Sequence, residues 1–140
     1  MQPIPENLVP ENLAYLLCTN VPAHVTLTRP DGSLVTHVMW VDFDGRNILT
    51  SSPVASYKSR ALRVRPQVSI SVVDPRDPWR RLSISGHVTG FRPDEGLAFI
   101  NKMSRRYTGG PYQRPGPREI FTIEPDRVRA FEGRAIAGGR

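Results

Sequence analysis

At 140 residues and 39% hydrophobic content, the chain has the size and apolar fraction of one globular domain with a real core. Its 19 Lys and Arg against 13 Asp and Glu give a formal charge of +6 and point to an anionic partner without naming it. The single cysteine, Cys18, excludes an internal disulfide and suits a reducing cytoplasm; no apolar run nears the roughly 20 residues of a membrane span, and MQPIPENLVPEN lacks the features of an export signal.

In chain order, Leu13, Leu16 and Leu17 predict a short helix over Glu11 to Cys18. Ala23 to Arg29 alternates as a half-buried strand, and Pro30-Asp31-Gly32 turns it back. Ser33 to Phe43 is apolar on both faces, with Leu34, Val38 and Trp40 on one and Val35, Met39, Val41 and Phe43 on the other, which predicts a central strand covered twice. Asp44-Gly45 is the next turn, and Arg46 to Thr50 a third strand.

The stretch from Ile48 to Pro66 then joins a strand end to a hydroxyl-rich turn of Thr50, Ser51 and Ser52 and a short basic helix with Lys58, Arg60, Arg63 and Arg65. Hydroxyls and freed N–H groups at a helix start, followed by cations, suit a phosphate. Either Ser52, with Pro53 following, or Ser56 fits the N-cap, and the helix must stop near Arg65 because Pro66 follows. Gln67 to Val73 alternates again, and residues 74–78, DPRDP, form a polar loop. Trp79 to Phe91 is a long strand whose Gly86 and Gly90 mark a bend or a close backbone approach. Pro93 to Arg106 predicts a helix with Leu97, Phe99, Ile100 and Met103 as its apolar stripe, and Tyr107 to Pro117 a Gly/Pro-rich loop. Ile120 to Ile123 and Val128 to Phe131 form a last strand interrupted around Glu124-Pro125-Asp126, leaving a flexible tail over about 133 to 140. Six strands in hairpin order with few helices predict a mainly β, six-stranded antiparallel barrel as a single domain over 1–140.

The chain offers no catalytic set of its own. His24, His37 and His87 all fall on strands without ligand spacing, so no metal is expected. There is no G-x-S-x-G turn, no G-x-G-x-x-G loop and no P-loop, and Cys18 lies in an apolar helix where a thiol is inert. Nucleic acid is disfavoured by the absence of a zinc knuckle, an RRM signature or a basic region. A barrel with a phosphate-suited turn fits a protein that takes its chemistry from a cofactor.

The RPDG turn, VMWVDFDG, LTSSPVASYKSRALRVRP, the DPW segment before a strand reaching SGHV, and RRYTGGPY followed by IEPDRVRAF stand in an order that resembles the pyridoxamine 5′-phosphate oxidase-like proteins with the split β-barrel of flavin reductases. More narrowly, the chain resembles the actinobacterial deazaflavin-dependent branch, which uses coenzyme F420. It departs at Ala61-Leu62, where that branch often has Asn-Leu, and at Ser52-Pro53 in place of a Thr-Ala-type pair. The resemblance implies that Val38, Met39 and Trp40 run along the cofactor ring by their backbone, and that Thr50, Ser51 and Lys58 hold its phosphate. It implies a homodimer with the cofactor at the shared surface, reached by Trp79, Arg80 and Arg81 of the neighbouring subunit. Ser52, Ser56 and Arg63 join the expected phosphate set from the turn and the basic helix. The implied function is hydride transfer from the reduced deazaflavin to a small organic acceptor. Alternatives are FMN binding with oxidase chemistry on a pyridoxine phosphate, or cofactor storage without catalysis. Because F420 carries a lactyl-glutamate tail beyond its phosphate, Arg60, Arg63, Arg65, Arg76, Arg80 and Arg81 are expected to meet the tail carboxylates.

Overall fold

The computed structural model describes residues 8–133 and 135–136. A 3-10 turn, Glu11–Leu13, leads into α1 (Tyr15–Cys18), followed by β1 (Ala23–Thr28), β2 (Leu34–Met39), β3 (Asp42–Phe43), β4 (Ile48–Pro53) and α2 (Tyr57–Val64). Then come β5 (Gln67–Asp74), β6 (Asp77–Pro93), a 3-10 turn at Glu95–Leu97, α3 (Ala98–Thr108), β7 (Arg118–Glu132) and β8 (Ala135–Ile136).

All pairings are antiparallel along the path β2-β1-β5-β6-β7-β4-β3, with β8 added to β7. β2 and β3 end this path on opposite sides, yet only Trp40 and Val41 join them in the chain. The sheet therefore curls until its two edges meet, giving a barrel split along one seam. Tyr107 of α3 fills the seam: its hydroxyl donates to the Val21 carbonyl at 2.9 Å and accepts from the Val41 N–H at 3.2 Å. It replaces ladder partners that the broken strand lacks.

The mainly β, antiparallel barrel expected from the sequence is present, with seven strands on its path instead of six. The expected Ser33–Phe43 strand breaks at Trp40-Val41 to cross the seam. It is also an edge and not a doubly covered centre: Leu34 is 69% and Val38 65% exposed. The last strand is continuous, and the polar Glu124-Pro125-Asp126 segment is a bulge in which Gly86 pairs with Pro125 after Ser85 has paired with Arg127. β6 begins at Asp77, because Asp74 Oδ1 accepts the Arg76 N–H at 2.8 Å and closes a tight turn in place of the expected loop. The flexible tail expected over about 133–140 falls largely outside the described residues; the backbone of Ala135–Ile136 pairs with Ala130 and Phe131.

Alternation along the strands sends Val25, Leu27, Ile70, Leu82, Ile84, Phe121 and Ile123 inward. Leu13, Leu16 and Leu17 of the N-terminal segment and Ala61 and Leu62 of α2 complete the core. The same packing that buries Ala61 and Leu62 leaves the first turn of α2 facing the seam side of the barrel, where Lys58 lies near β2.

Candidate cofactor site

The site grows from the end of β4. Thr50, Ser51 and Ser52 are all buried, at 2%, 7% and 0% exposure. Thr50 Oγ1 donates to the Trp40 carbonyl at 2.8 Å and so fixes the strand break; Thr50 lines neither of the two cavities described below. Of the two possible caps, Ser56 is the one used: its side chain accepts the Ser59 N–H at 3.2 Å, while Ser52 Oγ lies 2.7 Å from Ser56 Oγ. Ser52 and Pro53 belong to β4 instead, since they pair with Glu119 and Arg118. The turn between strand and helix passes through Ala55 at φ 64°, a left-handed conformation that costs a non-glycine residue and that packing must hold. The Tyr57 hydroxyl bonds to His37 of β2, tying the helix start to the sheet.

Lys58 is half-buried and has no hydrogen-bond or ion-pair partner among the described residues. Burial, and then the nearby Arg118 guanidinium, push its pKa below the ordinary lysine value. Arg118, at the start of β7, donates to Ser51 Oγ from Nη2 at 3.0 Å and to the Tyr112 hydroxyl from Nη1 at 3.0 Å. Burial lowers its pKa as well. Two half-buried cations side by side, with no carboxylate bonded to either, favour a bound anion.

These cations form the neck between two cavities. The first, about 160 Å³, lies between Val38, Met39 and Trp40 on one side and Phe99, Ile100 and Met103 of α3 on the other, with Ser51 and Lys58 at its end. β2 pairs only with β1, so its other edge carries backbone donors and acceptors with no strand partner. The second cavity, about 560 Å³, is walled by the β4–α2 turn and by the loop from Tyr112 to Pro117, including Arg114. Lys58, Tyr112 and Arg118 line both.

The α3 wall is held in place by charge. Asp42 of β3, 7% exposed, accepts from Arg106 at 2.8 Å and Lys102 at 2.9 Å. Burial alone would raise its pKa, but the bonds from Arg106 and Lys102 outweigh burial and hold it below the usual carboxylate value. Asp94 takes the Phe99 and Ile100 N–H groups at 2.7 and 2.9 Å, capping the helix across a turn in which Leu97 adopts φ 57°. Asp42→Asn is expected to cost about 1.5–3 kcal/mol at pH 7, the worth of hydrogen bonds to a charged group. Because the folded-state pKa of Asp42 is depressed, its contribution is present above its ordinary value and is lost as pH falls through the lowered one. The gap between wild type and mutant in urea unfolding should therefore close below about pH 4.

Of the residues expected at the site, Val38, Met39, Trp40, Ser51 and Lys58 line the first cavity, and Ser52, Ser56 and Lys58 the second. Arg63 does not join them: its fork is taken by Glu119 at 2.6 and 2.9 Å, and it lies 3.9 Å from the centre of the Phe91 ring. Those bonds in turn hold the Glu119 carboxyl below its usual pKa. Arg60 is bonded to the Ala55 carbonyl and Arg65 to that of Arg29. Arg80 is occupied by Tyr15, Glu132 and the Asn12 carbonyl. Trp79 is 61% exposed and lines neither cavity. Arg118 and Arg114, which do line the site, were not among the residues expected there, and Tyr112 stood in the sequence only as the end of RRYTGGPY, with no role given to it. The one local signal for Arg118 was a cation directly after a Gly/Pro loop, which reads equally well as a solvated turn.

Among the described residues no group of His, Cys, Asp or Glu is placed to hold a metal, and no helix is long and apolar enough to cross a membrane. The barrel is shared by solved structures. An F420 reductase superposes with a TM-score of 0.77 at 32% identity, over 86% of this chain and 98% of that one. Rv2991 of Mycobacterium tuberculosis gives 0.71 at 22% identity, over 96% and 91%, and general stress protein 26 of Bacillus anthracis gives 0.67 at 15%, over 91% and 96%. At those identities the latter two speak for the fold alone. No match to a curated protein reaches significance. The sequence model of pyridoxamine 5′-phosphate oxidase matches residues 8–132, the span that builds the split barrel and both walls of the site, and the chain belongs to that family.

Proposed function

We propose that the chain is an oxidoreductase that binds coenzyme F420 and passes a hydride from its reduced form to a small organic acceptor. The observation that carries this reading is the neck of Lys58 and Arg118 set between two cavities, with no carboxylate bonded to either cation. A cofactor phosphate there would meet Lys58, Arg118 and Ser51. The free edge of Val38, Met39 and Trp40 and the apolar face of α3 would hold a flat ring in the smaller cavity. The larger cavity, with Arg114, would take the acidic tail, in place of the helix arginines expected from the sequence. FMN ends at its phosphate and would leave that space unused. The likeness to an F420 reductase at 32% identity supports the same choice.

When bound, the deazaflavin supplies the hydride. The chain's own residues bind, orient and exclude water, which asks for no general base. Calorimetry should find F420 bound more tightly than FMN, by a margin that shrinks as the Debye length falls from about 10 Å at 0.1 M salt to about 3 Å at 1 M. Tighter FMN binding overturns the reading and leaves an FMN protein in its place. Retention of F420 with no turnover on any acceptor would leave a cofactor carrier.

The same reading makes the protein a cytoplasmic homodimer. Leu34, Val38 and Trp79 are exposed apolar groups that a second copy would cover, and Trp79 is open to reach that copy's cofactor while Arg80 is already committed. Light scattering should give twice the chain mass at micromolar protein. A single-chain mass counts against the dimer.

A further inference from the structure

Tyr112 lies on the loop that follows α3, and it is held from three sides. Its backbone N–H donates to Asn101 Oδ1 at 3.0 Å, and Asn101 is itself tied by Nδ2 to the Leu97 carbonyl at 2.9 Å. Its hydroxyl oxygen accepts from Arg118 Nη1 at 3.0 Å. The Arg118 guanidinium carbon lies 5.1 Å from the centre of its ring. The loop is further fastened to α3 by Ser104 Oγ, which donates to the Gly110 carbonyl at 2.8 Å. A phenol in a Gly/Pro-rich loop needs none of this if its ring only fills space.

A phenol oxygen can accept and also donate one hydrogen. Arg118 takes the accepting side. No acceptor among the described residues takes the hydrogen, although Tyr112 is half-buried and lines both cavities beside Lys58 and Arg118. Lys58 and Arg118 repel a cationic ligand from this place, and the hydroxyl beside them has a hydrogen free to donate to an anionic one.

We propose that Tyr112 is a ligand-binding residue that determines specificity, donating its hydroxyl hydrogen to an anionic oxygen of the phosphate class held at the neck by Lys58 and Arg118. This rests on the neck being a phosphate site and not on which flavin-type ring fills the smaller cavity.

Inorganic pyrophosphate is the probe. Calorimetry at pH 6.5 on wild type, Tyr112→Phe and protein with 3-fluorotyrosine at position 112 should show the phenylalanine variant about tenfold weaker, the loss of one hydrogen bond to a charged group. Fluorination makes the hydroxyl a better donor and a poorer acceptor. It should therefore tighten binding if Tyr112 donates to the ligand, and loosen it if the hydroxyl serves only to anchor Arg118. Equal affinity of wild type and Tyr112→Phe, or weaker binding by the fluorinated protein, overturns the proposal. The same proteins titrated with F420 and FMN separate it from the cofactor assignment. Pyrophosphate binding that depends on Tyr112, with neither flavin retained, upholds Tyr112 and removes the assignment. Retained F420 with pyrophosphate indifferent to Tyr112→Phe does the reverse. Wild type that binds neither probe overturns both.

Discussion

Replacing Gly86 with alanine is expected to destabilise the barrel by about 3 kcal/mol, the upper end of what overpacking a well-filled interior costs. A Cβ at this position would lie 2.6 Å from the Glu124 carbonyl oxygen and 3.2 Å from Ile123 Cγ2. The nearer obstacle is backbone on the paired strand, at the bulge where Gly86 meets Pro125, so it cannot swing aside as a side chain would. Gly90, four residues along the same strand, has nothing within 4 Å of its would-be Cβ. Its alanine variant should stay within about 0.5 kcal/mol of wild type. Urea unfolding of the pair checks both; equal midpoints would show that β7 can shift its bulge freely.

The largest functional effect is expected at Arg118. Arg118→Met keeps the aliphatic stem but removes the fork that fixes Ser51 and Tyr112 and supplies one of the two charges at the neck. Losing charge-assisted hydrogen bonds worth about 1.5–3 kcal/mol should weaken cofactor binding by about tenfold to a hundredfold. Lys58→Ala should cost less, about tenfold, because the lysine is one flexible point charge. Lys58→Ala should leave the fold intact, whereas Arg118→Met also unpairs the buried Ser51 hydroxyl and should cost about 1–3 kcal/mol of stability. Burial and then the Arg118 guanidinium both disfavour the Lys58 charge, so removing the lysine relieves repulsion, and the thermal stability of Lys58→Ala should hold within about 0.5 kcal/mol of wild type. A melting temperature of Lys58→Ala that falls in step with affinity would mean that this lysine builds the fold and not the site.

What could be read from the sequence was what short stretches decide by themselves. The strand from Ile48, the hydroxyls of Ser51 and Ser52, one of the two candidate caps, Ser56, and the cation at Lys58 are local features that stand together at the site, although Thr50 to Ser52 prolong the strand to Pro53 where a turn was expected. Arg118 and Arg63 were out of reach for the same reason from opposite sides. Arg118 meets Ser51 across 67 positions because β4 pairs with β7, and Arg63 is withdrawn from the site by Glu119, 56 positions away on that strand. Nothing in a run of basic residues says which cation will find a carboxylate after folding. The apolar doublet pattern of Ser33 to Phe43 misled for a different reason: Leu34 and Val38 are apolar yet exposed in the single chain, so their hydrophobicity does not report a covered face.

The seam at Trp40-Val41 also bears on how the chain reaches this shape. The two strands it joins can take their final places only after β1 has found β5, with His24 beside Ser71, and β4 has found β7, with Ile48 beside Ile123. Closing the barrel therefore waits on pairings between segments far apart in the chain, each preceded by a costly loss of chain freedom. Such topologies fold in milliseconds to seconds and not in microseconds. Mutations at Tyr107, whose hydroxyl bridges Val21 and Val41 once the edges have met, should accelerate unfolding while leaving the rate of folding nearly untouched.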